Sequence, residues 1–352
     1  MNSFLALFTL PVGLLTIVAV VIASIVLSFF VPATVGRVLL LLPIVMAMAQ
    51  RAGFEHGSTG YNGLCLATII ATYQCGTTVL PANAPNLVLA GSAEALYGIQ
   101  ITFAEYLWSQ FPVLGLVKGV VIVAFVLRLF PATARLAPAA SVASPLTPEQ
   151  RRMALILAAA IVLWVTDFAH GIQSGWIALA AGIACLLPRV GVMPPSAFHE
   201  VSLGPYFYVA ATLGLGLVIQ TTGLSDALGN LLHGILPLAP GADFANFIQL
   251  SVLAALAGLF TTNPAQPAVL APLAEFFAHA TGWPLKSALM VIAMGYSTFF
   301  FPYQVPPAMV GLQVGALKVR AMLRLVLPLA AFHFVVVLPL QYLWWRLIGY
   351  FG

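Results

Sequence analysis

Apolar runs follow one another along almost the whole chain, at about 4–30, 35–50, 62–80, 108–130, 153–169, 174–188, 205–223, 245–260, 266–280, 286–301 and 325–347. A helix of about 20 such residues crosses about 30 Å of hydrocarbon. A water-soluble fold is excluded, because 62% of the 352 residues are hydrophobic and only 6% are charged, against roughly 25% charged in an ordinary soluble domain. The fold class expected is an all-α integral membrane protein of about ten membrane segments, with the lipid bilayer as its first partner.

The 13 Lys/Arg and 9 Asp/Glu are scattered, with no basic run interleaved with aromatics, so nucleic acid is not expected as a partner. Cys65, Cys75 and Cys185 are odd in number and widely spaced, and they read as small buried hydrophobes. The first basic residue is Arg37, so the N-terminal run lacks the basic flank of a signal peptide and is expected to remain as structure.

Two pairs of runs leave no room for an aqueous loop between their members. Only Pro32-Ala33-Thr34 separates 12–30 from 35–50, and only Thr261-Thr262-Asn263-Pro264 separates 245–260 from 266–280. Both are expected to be re-entrant hairpins. Two other runs, 62–90 and 286–316, are interrupted by Gly76 through Asn86 and by Pro302 through Pro307, where prolines remove backbone donors and break helices. Broken backbone at membrane depth survives only where protein or a water-filled cavity satisfies it. The order hairpin, broken helix, full helix occurs at 12–130 and again at 245–347, which points to an inverted-repeat transporter with its site at the interruptions. The alternative is a structural membrane protein with proline-kinked helices.

The domain organisation expected is a first, shortened repeat at 1–130, a cytoplasmic linker at 131–152 and a second repeat at 153–352. With the linker inside, Arg51, Arg128, Arg135, Arg151, Arg152, Arg189, Lys318, Arg320 and Arg324 also fall inside, and only Lys286 and Arg346 fall outside. Loops 92–106 and 225–244, expected outside, carry Glu94, Glu105, Asp226 and Asp243 and no Lys or Arg.

The stretch Gly76-Thr77-Thr78-Val79-Leu80-Pro81-Ala82-Asn83-Ala84-Pro85-Asn86, followed by Ala93-Glu94-Ala95-Leu96-Tyr97-Gly98, resembles the divalent anion/sodium symporter family. Thr262-Asn263-Pro264, before Pro272, resembles that family's second Ser-Asn-Thr hairpin tip, and Pro302 to Ala308 resembles its second P-P-N loop with Ala308 in place of Asn. The resemblance implies a secondary active transporter of a small anion, a di- or tricarboxylate or sulfate, coupled to sodium and working by alternating access. It implies a homodimer in the cell (inner) membrane, no cofactor apart from Na+ as coupling ion, and no enzymatic activity. The substrate-binding residues it implies are Ala33, Thr34, Val35, Gly36, Thr262, Asn263, Pro264, Pro306 and Pro307. The ion-binding residues are Gly76, Thr77, Asn83, Asn86, Thr261, Asn263 and Gln304. Two departures stand out: the first tip reads Ala33-Thr34-Val35, which loses side-chain oxygens, and the family's spans before the first hairpin have no counterpart in this sequence. A truncated, non-transporting homologue or partner subunit is therefore the alternative.

Helix N-termini at tips and breaks present unpaired N–H groups and a positive dipole end, so they can bind an anion without Lys or Arg. Arg37 lies about one turn past the first tip, where it either helps hold the anion or pairs with a nearby carbonyl. Lys118 is expected to be an interfacial lysine rather than a coupling group, and Asp167-Phe168-Ala169-His170 a solvated cap rather than a proton relay. Gly214-Leu215-Gly216 reads as close helix packing. His199-Glu200 lacks the second His of a zinc-protease motif, and no Ser/His/Asp arrangement supports a polytopic intramembrane enzyme.

Overall fold

The computed structural model describes residues 12–132, 147–188, 190–200 and 203–351. Among these the chain is helical with no strand, an all-α integral membrane protein with five helices long and apolar enough to span a bilayer. Most of the 131–152 linker, with Arg135, and also Arg189, lie outside the described residues, as does the side chain of Asp226.

The first half begins with α1 (Val12–Phe30) and α2 (Thr34–Arg51), joined by three residues. Helix α3 (Thr59–Gln74) starts at an N-cap, where the Ser58 hydroxyl accepts from the Tyr61 amide. It ends in two 3-10 turns, Gly76–Thr78 and Leu80–Ala82. Helix α4 (Ala84–Tyr97) restarts with Pro85 in its first turn and stops at Gly98, whose φ of 65° is the left-handed conformation glycine adopts without strain. Helix α5 runs from Phe103 to Leu129 and contains a π segment at Phe111–Val117.

Helices α6 (Pro148–Val165), α7 (Ser174–Leu186), α8 (Gly204–Thr221) and α9 (Leu224–Ile235) follow. The sequence suggested a loop over 225–244. Much of it is α9 instead, because Leu224, Leu228, Leu231, Leu232 and Ile235 recur at helical spacing.

The second half repeats the order of the first. Helix α10 (Asp243–Phe260) turns at Thr261–Ala265 into α11 (Gln266–Leu270) and, after a 3-10 turn at Pro272, α12 (Ala274–Thr281). Helix α13 (Leu285–Tyr296) is interrupted through a 3-10 turn at Pro302–Gln304 before α14 (Pro306–Val314). Helix α15 (Val319–Leu347) carries its own π segment at His333–Val337.

The halves interlock. Helix α14 packs on α2 and α3, while α11 packs on α4. Helices α10 and α13 approach so closely that a Cβ on Gly295 would lie 2.5 Å from the Ala254 backbone. Of the Gly214/Gly216 pair Gly216 matches the packing expectation, with the Ala268 carbonyl 3.4 Å from its would-be Cβ, whereas Gly214 meets nothing within 4 Å among the described residues. Lys286 pairs with Glu105, the Trp283 indole donates to Asp243, and the Arg324 guanidinium sits 5.4 Å over the Phe130 ring.

Candidate functional site: two hairpin tips on two helix breaks

The first tip docks on the first break. The Thr34 hydroxyl donates to the Ala82 carbonyl at 2.9 Å and approaches Asn83 Oδ1 at 3.2 Å. Arg37, fully buried, spends its terminal nitrogens on four protein acceptors: the carbonyls of Val31 (2.6 Å), Ala82 (3.0 Å) and Thr72 (3.2 Å) and the Thr34 hydroxyl (3.2 Å). Gly76 is what admits it, since a Cβ there would sit 2.4 Å from Arg37 Nη2. Of the two readings of Arg37, these bonds are those of the carbonyl partner; its Nε is left without one.

The second tip docks on the second break in the same manner. The Asn263 amide N–H donates to the Gln304 carbonyl at 2.9 Å, and its side-chain nitrogen reaches the Thr298 carbonyl (2.9 Å), the Tyr73 hydroxyl (2.9 Å) and the Tyr296 carbonyl (3.4 Å). Gln304 Oε1 accepts from the amides of Phe300 and Phe301. The Thr261 hydroxyl turns back to the Ala257 carbonyl.

The two breaks are joined to each other. Tyr73 donates to the Tyr296 carbonyl at 3.0 Å, and Gln74 Nε2 lies 3.4 Å from the Thr298 hydroxyl. The Tyr106 hydroxyl from α5 sits among the Thr77 carbonyl, Asn86 Oδ1 and the Tyr296 hydroxyl at 2.9–3.2 Å. Asn86 Nδ2 donates to Val79 across the first break. Thr34, Gly76, Thr77, Asn83, Asn86, Asn263, Gln304 and Pro307 are thus buried at one junction. Val35, Gly36, Thr261, Thr262 and Pro264 are half-buried around it, and Ala33 and Pro306 are exposed. Among the described residues, the buried side-chain donors Arg37 Nε and Asn83 Nδ2 have no partner there.

Two expectations are corrected. Lys118 is not interfacial: it lies mid-way along α5, 11 residues from its nearer end, hence about 16 Å from it at 1.5 Å per residue, beyond the reach of its side chain. It is fully buried, and its Nζ donates to the Ser297 carbonyl of the second break. Asp167 is a cap but not a solvated one. It is 3% exposed, and its Oδ2 accepts from the Phe103 amide at the start of α5. His170 is exposed, as expected.

Sequence reasoning passed over Tyr73, Gln74, Tyr106, Tyr296, Thr298 and His333. Tyr73 and Gln74 lie just before the interruption that begins at Gly76, and Tyr296 and Thr298 lie on the approach to the one that begins at Pro302, which is the signal that could have found them; Tyr106 and His333 come from neighbouring helices and leave no local trace.

Two interrupted helices, two tips that satisfy their backbone and two long π-containing helices define a polytopic membrane protein of the transporter class. The chain belongs to the sodium:sulfate symporter family, whose transmembrane region it matches over residues 8–351. It is also similar to a protein of Cupriavidus necator described as "Membrane protein", with 23% identity over 348 residues, which cover 95% of this chain and 68% of that relative.

Proposed function

We propose that the protein is a secondary active transporter that carries a small anion, a di- or tricarboxylate or sulfate, across the cell (inner) membrane by alternating access of two inverted repeats, working as a homodimer. The observation that carries this reading is the single buried junction in which each hairpin tip is hydrogen-bonded to its own helix break and the breaks to each other. Tips and breaks then move as one body, and the anion is held at their open edge by backbone N–H groups together with Thr262, Asn83 and the positive charge of Arg37. Membership of a transporter family supports transport over catalysis. Sodium coupling, which the family description supports, would require five or six hard oxygens left available at the breaks.

Uptake of succinate, citrate and sulfate into proteoliposomes under sodium, proton and counter-anion gradients tests the reading. Accumulation of at least one of them is expected. Absence of uptake for all three under every gradient, from protein that is monodisperse, sinks it. Light scattering of the solubilised protein checks the homodimer.

A further inference from the structure

We propose that this chain carries its own basic side chains where a coupling ion would sit: Arg37 occupies the carbonyl cage between the first tip and the first helix break, Lys118 takes a carbonyl of the second break, and together they take the place of sodium. The inference goes beyond the transport reading and rests on it only for the word coupling.

A broken helix frees backbone carbonyls, and a hard cation binds at such a break by collecting them. Here they are already taken. Arg37 claims Val31 at the first tip and Thr72 and Ala82 at the first break. At the second, Asn263 takes Tyr296 and Thr298, and the Lys118 ammonium takes Ser297, the carbonyl between them. The lysine reaches that point from α5, an element of the other half of the chain. The Ser297 hydroxyl is itself engaged with His333 Nε2 at 3.2 Å, and Cys75 is the other titratable neighbour of Lys118.

Neither cation has a carboxylate partner. The ion pairs among the described residues are Arg152–Glu149 and Lys286–Glu105, both well away from the breaks in sequence and partly exposed. A buried charge without a counterion is expensive and marks function more often than stability. Bonds to carbonyl oxygen are the interaction a bound sodium would make, so Arg37, with three carbonyls and a hydroxyl, substitutes for the ion in charge and ligands, while Lys118 takes one carbonyl of the second break.

The test reads sodium binding directly. Thermal unfolding of the full chain in detergent is compared in NaCl and in choline chloride at equal ionic strength, for wild type, Arg37→Ala and Arg37→Lys. Wild type and Arg37→Lys are expected to be indifferent to the cation. Arg37→Ala vacates the carbonyls of Val31, Thr72 and Ala82 and the Thr34 hydroxyl and is expected to gain a sodium-specific rise in midpoint of about 3 °C or more, the size that saturating one site gives a chain of this length. A sodium-specific rise in wild type overturns the proposal, and so does a folded Arg37→Ala that stays indifferent. If Arg37→Ala does not fold, equilibrium binding of radioactive sodium to wild type decides: no saturable site supports the proposal, and a saturable site overturns it. Because no anion uptake is measured, failure of transport would defeat the preceding section and leave this result standing.

Discussion

The side-chain nitrogen of Asn263 lies 2.9 Å from the hydroxyl of Tyr73, and that hydroxyl donates in turn to the carbonyl of Tyr296 at 3.0 Å. One pair of residues thereby ties the second hairpin tip to the helices that enter both breaks. Residues 190 positions apart in sequence become one rigid junction. A tip held in this way cannot shift against its break without exposing buried acceptors, each costly to leave unsatisfied.

That arrangement ranks substitutions at Asn263. Asn263→Ala leaves the Thr298 carbonyl without its donor, at a cost of about 1–3 kcal/mol. Asn263→Asp sets a carboxylate against two carbonyl oxygens and should cost more. Thermal unfolding of the solubilised protein is expected to give wild type > Ala > Asp. An Asp variant as stable as wild type would show that the amide does not face these carbonyls.

A second relationship links Gly76 to Arg37. A methyl group at 76 would sit 2.4 Å from Arg37 Nη2, and the guanidinium cannot retreat without losing bonds on several sides. Gly76→Ala should destabilise by about 1–3 kcal/mol, the usual cost of overpacking. In the Arg37→Lys background, where the fork is gone, the same change should cost distinctly less. A double-mutant cycle with no coupling between the two positions would disprove the contact.

The elements most legible in the sequence were those with local causes. Pro32, Pro81, Pro85, Pro302 and Pro306 marked the tip and breaks because a missing N–H acts where the proline stands. Gly98 and Gly282, with φ of 65° and 74°, close their helices for an equally local reason. Lys118 was misread because its environment is set by Ser297, 179 residues away, and by the continuity of α5 through its π segment. Asp167 was misread in the same way, since the amide it caps belongs to another helix. The Arg37 acceptors Thr72 and Ala82 were hidden too, because which carbonyls face a side chain depends on the approach of α2 to the break.

Close packing of α10 on α13 gives a sharper contrast between two glycines. A Cβ at Gly295 meets backbone atoms of Ala254 at 2.5 and 2.7 Å, and backbone cannot rotate aside. Gly295→Ala should therefore cost about 1–3 kcal/mol despite the better helix propensity of alanine. Gly214, with nothing within 4 Å among the described residues, should be unchanged or stabilised by up to about 1 kcal/mol in Gly214→Ala. Equal midpoints for the two variants would show that α10 and α13 are farther apart than described.

Asp167 offers a test at a distance from the tips. The first N–H groups of a helix lack intrahelical partners. At the start of α5 the Thr102 hydroxyl accepts from the Glu105 amide, and Asp167 Oδ2, arriving from the turn after α6, accepts from the Phe103 amide. Its charge also sits at the positive end of the α5 dipole. Asp167→Ala removes both effects and should cost about 0.5–2 kcal/mol, the range for losing a cap. Asp167→Asn keeps an oxygen that can accept from Phe103 and loses only the charge, so it should fall between wild type and the alanine variant. Because the cap holds α5 and touches neither break, anion uptake at a temperature where all three proteins are folded should be alike. Uptake abolished in Asp167→Asn with its unfolding midpoint intact would show that this carboxylate takes part in transport and is more than a cap.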